Sequence, residues 1–395
     1  MKSINLNFNK SNFKLSISSK IDDLSSDWGK LNSRTLFADK DYLKLLEANG
    51  PIGYNYYYAV LFKDYTPVAC VYFQRKQVKL SDDFRVHSHS NSIIERIKVK
   101  SLKTFFSFVK HDILICGNVL LTGEFAYGKQ EDFDLTSDLF DVIIKEVVGY
   151  IKVQDKIKIQ SILCKDFFKE GVHKIQSFSA SGFFKFQVQP AMILNLDPTW
   201  TSFQDYIDSV KSKYRVKFKK VIKKGSNLEF KKLSIEEAKQ YNDEMYKLYK
   251  ATADRATFSL FTLDQQYFSE LKETLGDKLQ LTVVLENEKL LGFFTFVNDG
   301  EHGDAHFLGY DVSQNSKYQL YFNMLLKLID ESIDQKSKYL NLSRTALEIK
   351  SSVGAEPHDM YVYLKHQNKF VNKLLPSILN RVVPKNSWEQ RSPFK

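Results

Sequence analysis

No run of apolar residues in this chain reaches the roughly 18 that a membrane span needs. The opening MKSINLNFNKSNFK has no apolar core that could serve as a secretory signal, so the expected location is the cytoplasm. Cysteine is scarce: Cys70, Cys116 and Cys164 stand far apart in sequence, each in an apolar strand-like stretch. That placement fits buried reduced thiols better than bridges or a metal site. A P-loop, zinc-ligand spacing, a nucleophile elbow and a kinase signature are all missing, which sets aside nucleophilic triads and metal catalysis.

What is present is apolar mass and positive charge. At 395 residues, with 43% hydrophobic and 14% aromatic residues, the chain has enough to bury for two cores and is not a disordered polymer. The net charge of +10 and a pI near 9.1 favour an anionic partner: a nucleotide, a phosphorylated lipid, RNA or a membrane surface. A lysine-rich solvated surface accounts for the same charge.

The second half carries the clearest order of elements. TSFQDYIDSVKSKYRVKFKKVIKKG reads as one amphipathic helix: Thr201 and Gln204 form a capping box, Phe203, Ile207, Val210, Tyr214, Phe218 and Ile222 recur at helical spacing, and Gly225 stops the run. Ser234 with Glu237, and Thr262 with Gln265, open two further helices, to about Ala253 and to Leu275. LQLTVVLE, KLLGFFTFV and DAHFLGY then form a three-stranded meander, with turns at Asn287-Glu288 and at Asn298-Asp299-Gly300. A helix over Tyr318 to Ile333 and the strands KYLNL and MYVYLK complete the set.

The first half repeats this order: YYYAVLF and PVACVYF flank a Lys63-Asp64 turn, NVLLTG follows, Leu135 to Ile151 reads as helix, and IKIQSIL reads as strand. The reading is an internal duplication: an α/β (α+β) chain of two domains, 1–190 and 191–370, each a mixed and mostly antiparallel sheet flanked by helices, then a basic amphipathic tail over 371–395. Ser81 to Lys100, rich in His and Ser, is the expected long surface loop.

Helices, antiparallel strands, crossover helix and further strands, twice over, resemble the GNAT superfamily and in particular the FemAB-like transferases. WTSFQDYIDSVKSKYRVKFKKVIKKG is similar to that family's basic helix opening the second lobe, YKATADRATFSLFT to its arginine-bearing segment before the sheet, and YLNLSRTALEIKSSVGAEP to its closing segment. The resemblance covers residues 50 to 370 and implies tandem GNAT lobes with acyl or aminoacyl transfer to an amine. It places Lys350 at the lysine of the closing motif. In one respect the sequence departs from acetyl-CoA-using relatives: the loop DVSQNSKYQ has no glycine to let backbone N–H groups approach a pyrophosphate. Its counterpart in the first lobe, GEFAYGKQEDFD, has Gly123 and Gly128 but is acidic. This favours an aminoacyl-tRNA or an unusual acyl donor, with Asn315 or Ser316 still able to cap the following helix.

Several residues are candidates for a site. Arg215 and Lys219, in the crowded basic helix, are placed to hold phosphate, where Arg215 offers a bidentate fork. The alternative is a solvated helix face. Arg255 fits a carboxylate or phosphate, or a structural ion pair. His306 and Tyr310 are expected on one face of the third meander strand, with Leu308 between them, as proton movers; an ordinary sheet histidine is the alternative for His306. Asn341 and Arg344 are candidate substrate contacts, and Lys350, six residues after Arg344, could stabilise an oxyanion or simply favour a helix end.

The expected activity is therefore direct acyl or aminoacyl transfer, with Lys350, Tyr310 and His306 as catalytic candidates and no tightly bound cofactor. Acyl-CoA or aminoacyl-tRNA would be the co-substrate, and a small-molecule or lipid-linked anionic acceptor, such as a cell-envelope precursor, the partner. The alternatives are an acyl-CoA-dependent N-acyltransferase and a non-catalytic module binding tRNA or lipid. The tail, with Phe370, Leu374, Leu375, Ile378, Leu379 and Val382, either meets an anionic membrane surface or packs on the second lobe. Oligomeric state is left open.

Overall fold

The computed structural model describes residues 1–31, 35–79, 110–169, 181–255, 261–382 and 388–395. The loop expected over Ser81 to Lys100 lies outside them. In chain order the first elements are β1 (Lys2–Phe8), β2 (Ser11–Ser18), α1 (Ser25–Gly29), α2 (Lys40–Asn49), β3 (Tyr54–Lys63), β4 (Thr66–Lys79) and β5 (Lys110–Cys116). Then come β6 (Tyr127–Lys129), α3 (Ser137–Gln154), β7 (Ser161–Phe168), β8 (Phe184–Asn195), α4 (Phe203–Ser209), α5 (Ser212–Lys224), β9 (Glu229–Lys232) and α6 (Ile235–Ala253). The remainder are α7 (Tyr267–Leu275), β10 (Leu279–Glu286), β11 (Lys289–Asn298), β12 (His302–Tyr310), α8 (Asn315–Tyr318), α9 (Leu320–Asp334), β13 (Tyr339–Asn341), α10 (Leu347–Ser352), β14 (Glu356–His366) and α11 (Lys369–Val382).

These elements fall into two compact units. Unit 1 comprises Met1–Val188, Thr257–Asp264 and Asp359–Lys385; unit 2 comprises Gln189–Ala256, Gln265–His358 and Asn386–Lys395. The sheet of unit 1 runs β1-β2-β3-β4-β5-β7-β14, with β6 on β4, and is antiparallel except for the pair β5 and β7. Helix α3 lays Leu139, Phe140, Ile143, Ile144, Val147 and Ile151 on the apolar face made by Leu15, Ala59, Val71 and Leu114. Its spacing of three and four residues is that of a single buried stripe.

The sheet of unit 2 runs β8-β13-β12-β11-β10-β9 and is antiparallel except for β12 and β13. One face carries α9 and α5, through Leu325, Ile329 and Phe218 packed with Phe294 and Phe296. The other carries α6 and α7, where Tyr249 and Phe268 meet Phe293 and Phe307 edge to face. Gly309 permits the approach of α6: a Cβ there would lie 2.6 Å from the backbone N of Tyr249 and 2.7 Å from the carbonyl carbon of Leu248.

Each unit thus holds one parallel strand pair followed by an antiparallel third strand, β5-β7-β14 in one and β12-β13-β8 in the other. In unit 1 the third strand, β14, comes from the far half of the sequence, whereas the β8 residues paired with β13, Ile193 to Asn195, belong to the opening segment of unit 2 itself. Cys116 and Cys164, distant in sequence, stand abreast on β5 and β7; like Cys70 they are buried free thiols.

Several local expectations are corrected. The basic segment is two helices, because Val210 adopts extended backbone (φ −84°, ψ 153°) and pairs with Phe394, while the N–H of Lys211 donates to the carbonyl of Pro393. The capping box there is Ser202 with Asp205, one residue later than expected. Thr262 caps nothing: its carbonyl accepts the N–H of Ile52, and α7 begins at Tyr267. In the first half the turn sits on Asp64 and Tyr65, and the strand is HDILIC, with Val119 and Leu120 in the turn after it. By contrast, Ser234 and Glu237 form the expected reciprocal box on α6.

Candidate functional site

The parallel pairing of β12 with β13 lasts only from His302 to Asp304 against Tyr339 to Asn341. Beyond that point the strands part, and β12 from Ala305 to Gly309 has no strand partner on that side among the described residues. A fork at the carboxyl ends of parallel strands is where α/β sheets take ligands, since nothing there satisfies the main chain. In unit 1 the equivalent fork, after Cys116 and Cys164, is filled. The buried Lys165 sends its Nζ to the carbonyls of Asn118 and Leu121, both at 2.7 Å, and Gln74 Oε1 accepts the N–H of Val119. The open fork of unit 2 is therefore the candidate site.

Asp304 and Asn341 close its base. Asn341 Nδ2 donates to Asp304 Oδ1 at 2.9 Å, and Asn341 Oδ1 accepts the N–H of Ser343 at 3.0 Å. Enclosure by the sheet raises the Asp304 carboxyl to about 7; the Asn341 bond opposes this and is outweighed. Asp304 was not among the sequence candidates. An acid in DAHFLGY resembles any polar strand position until the partner from β13 is known.

Past the fork the chain makes a strained turn. Ser343, Thr345 and Ala346 have positive φ of 60°, 68° and 46°, without a glycine among them. Lys350, 5% exposed on α10, reaches back and donates from Nζ to the carbonyl of Arg344 at 2.6 Å. Lys350 is consequently a buried strut of this turn rather than a cation lining an open cleft, and burial lowers its ammonium to about 7. Arg344 is half-buried in the turn itself.

His306 and Tyr310 do not share a face. Between the pairs Phe294–Leu308 and Phe296–Ala305, the single residue Thr295 opposes both His306 and Phe307, a β-bulge. Thr295 Oγ1 accepts the N–H of Phe307 at 2.8 Å and donates to its carbonyl at 3.1 Å. The extra residue reverses the alternation, so His306 turns toward α7 while Tyr310 packs with Tyr321 on the α9 face. His306 Nε2 lies 2.7 Å from the hydroxyl of Tyr267, and burial depresses its pKa to about 3. It is a neutral core histidine.

Tyr310 is half-buried; burial raises its pKa while the nearby positive charge of Arg255 opposes the rise. Arg255 is exposed and forms no ion pair among the described residues. The two stand together at the outer end of β12, six residues from Asp304 and so about 20 Å along the strand. Arg215 is engaged locally, donating to the carbonyl of Val210 at 3.2 Å and lying 3.5 Å from Asp208, across the break between α4 and α5. Lys219 is solvent-exposed. On the loop between β12 and α9, Asn315 Oδ1 accepts the N–H of Tyr321, taking one of the donors at the start of that helix.

No protein-family model and no curated protein sequence matches the chain. Solved structures do. FemX has a TM-score of 0.54 at 10% identity, covering 91% of this chain and 99% of its own. A tandem GNAT protein from the clavulanic acid biosynthesis pathway scores 0.52 at 8% identity, covering 89% and 98%. The C-terminal domain of a putative lysylphosphatidylglycerol synthetase from Agrobacterium fabrum scores 0.51 at 10% identity, covering 93% and 99%. At these identities the likeness is one of fold, and the fold is that of tandem GNAT-like lobes.

Proposed function

We propose that this chain transfers an acyl or aminoacyl group from an activated ester or thioester directly to an amine, in the fork between β12 and β13. The observation that carries the reading is the open main-chain edge of β12 with a carboxyl of pKa about 7 at its base. Backbone N–H groups along such an edge can hold an amide-bearing donor arm and polarise its carbonyl. Asp304, ionised above neutrality, takes the proton that the attacking amine must lose as the new C–N bond forms the tetrahedral intermediate. That intermediate then collapses by breaking the C–O or C–S bond to the donor and releases the alcohol or thiol with that proton. Asn341 orients that carboxylate, and Lys350 fixes the turn that carries Arg344 beside the fork. Arg255 and Tyr310, about 20 Å away along the strand, are too remote for the reacting carbonyl and suit the anionic portion of a substrate.

The resemblance to FemX-like and GNAT folds makes acyl-CoA and aminoacyl-tRNA the donors to examine, with a small-molecule or lipid-linked anionic acceptor. Native mass spectrometry against acyl-CoAs, aminoacyl-tRNAs and envelope nucleotides identifies the donor, since a true ligand also stabilises the fold. With that donor, Asp304→Asn should lower turnover about a hundredfold or more while leaving the folded state intact. The rate of the unaltered protein should rise with pH through about 7, as Asp304 deprotonates. Undiminished turnover in the Asn variant refutes the role of Asp304. Salt-sensitive polyanion binding with no turnover on any donor refutes the enzymatic reading and favours a binding module.

A further inference from the structure

A cavity of about 440 Å³ in unit 2 opens on a different side of α10 from the fork. It is lined by Lys213, Tyr214 and Lys217 of α5, by Glu348, Ile349 and Ser352 of α10, and by Arg391 of the C-terminal strap. Lys350 lies two positions from Glu348 and so about 200° round the helix, which separates this cavity from the strut described above.

The cavity is a built site rather than a chance dip between lysines. The strap 388–395 is fastened to unit 2 by the Val210–Phe394 bridge, by the Lys211 N–H to Pro393 carbonyl bond at 2.8 Å, and by the Arg391 N–H to Ser351 Oγ at 3.0 Å. Phe394 seats its ring where a Cβ on Gly354 would stand, 2.2 Å away. Arg391 is thereby delivered to the cavity wall, where its guanidinium grips Glu348, with Nε at 3.1 Å. Lys217 is held by Ser352 Oγ at 3.3 Å and by the face of Phe322 at 4.8 Å.

Arg391 is committed to two carboxylates, Glu348 through Nε and Nη2 and Glu389 through Nη1 at 2.6 Å, whereas Lys213 and Lys217 line the same space and form no ion pair among the described residues. Burial, followed by the charge of Arg391, pushes the Lys217 ammonium below its ordinary pKa, with Glu348 opposing the shift. The floor is apolar, formed by the ring of Tyr214 and the side chain of Ile349, and the volume suits a small molecule.

We propose that Lys213 and Lys217, on the wall that the Arg391–Glu348 pair holds in place, bind the phosphate groups of a phosphorylated molecule whose less polar portion rests on Tyr214 and Ile349. The site is independent of the transfer chemistry at the fork, and either can fail without the other.

Inorganic pyrophosphate is the probe. Titrated into the full chain, it should raise the Tm in a saturable manner. The double variant Lys213→Gln/Lys217→Gln should weaken that binding about tenfold or more, in line with the loss of charge-assisted hydrogen bonds. Lys220→Gln/Lys223→Gln, which removes two exposed lysines of the same helix from outside the cavity, should leave it unchanged. No shift with pyrophosphate overturns the proposal, and so does an equal loss in both double variants, which would mark a general field in place of a site. Vesicles of phosphatidylcholine with or without phosphatidic acid separate the sources. Phosphatidic acid binding that is lost in Lys213→Gln/Lys217→Gln assigns a lipid headgroup, whereas pyrophosphate binding without vesicle binding assigns a soluble phosphoester.

Discussion

Lys350, buried, and Asp304, half-buried at the base of the fork, are shifted in opposite directions toward neutrality, and each leaves a signature in stability. Lys350 titrates at about 7 in the folded chain and at 10.5 when exposed. Between those values the unfolded chain binds the extra proton, so stability should rise with pH across that window. Lys350→Met should flatten this rise, as read from urea unfolding midpoints at pH 7 and pH 10. Asp304 behaves inversely. Its folded pKa of about 7 exceeds the ordinary 3.8, so the folded chain holds the proton longer and stability should fall as pH climbs between them. Asp304→Asn should remove that fall, as read from urea unfolding midpoints across the same window.

At the scale of elements, the bulge opposite Thr295 and the break at Val210 decide which side chains reach the site. Both are single-residue events. The extra residue in β12 sends His306 under α7 and leaves Tyr310 on the opposite face; the extended Val210 shortens the basic helix so that Arg215 folds back on Asp208. The seating of α6 on β12 is as local: Gly309→Ala would drive a Cβ into the Leu248–Tyr249 backbone, which cannot swing aside as a side chain can. The expected cost is about 2 kcal/mol or more, within the range for overpacking a filled interior, measurable by urea unfolding. In unit 1, α11 exposes Phe370 and Leu374 while burying Leu375, and among the described residues no helix is long and apolar enough to cross a membrane.

For the whole molecule, the return of β14 to the sheet of unit 1 governs how the chain can be divided. Strand β14 completes the sheet of unit 1 by pairing with β7, and Ile193 to Asn195 of β8 pair with β13 in unit 2. A fragment ending at residue 190 keeps β7 and loses β14, so an unpaired strand edge is left where a buried sheet should continue. The pieces 1–190 and 191–395, expressed separately, should be insoluble or lack cooperative unfolding, whereas co-expression should recover a complex. Two cooperatively folding, soluble separate pieces would refute this account of β14.

The sequence by itself determined the repeated order of strands and helices, the cap on α6 and the apolar stripes of α3 and α9, because each depends on spacing within one element. It also placed Arg255 and Tyr310 in the segments that meet at the end of β12. Tertiary structure alone decided that Asp304 faces Asn341, that Lys350 is spent on the Arg344 carbonyl, that Arg391 arrives over α5 and that β14 returns to the sheet of unit 1. Those facts depend on which distant segments lie side by side, and neither residue periodicity nor net charge encodes a pairing between strands hundreds of atoms apart along the chain.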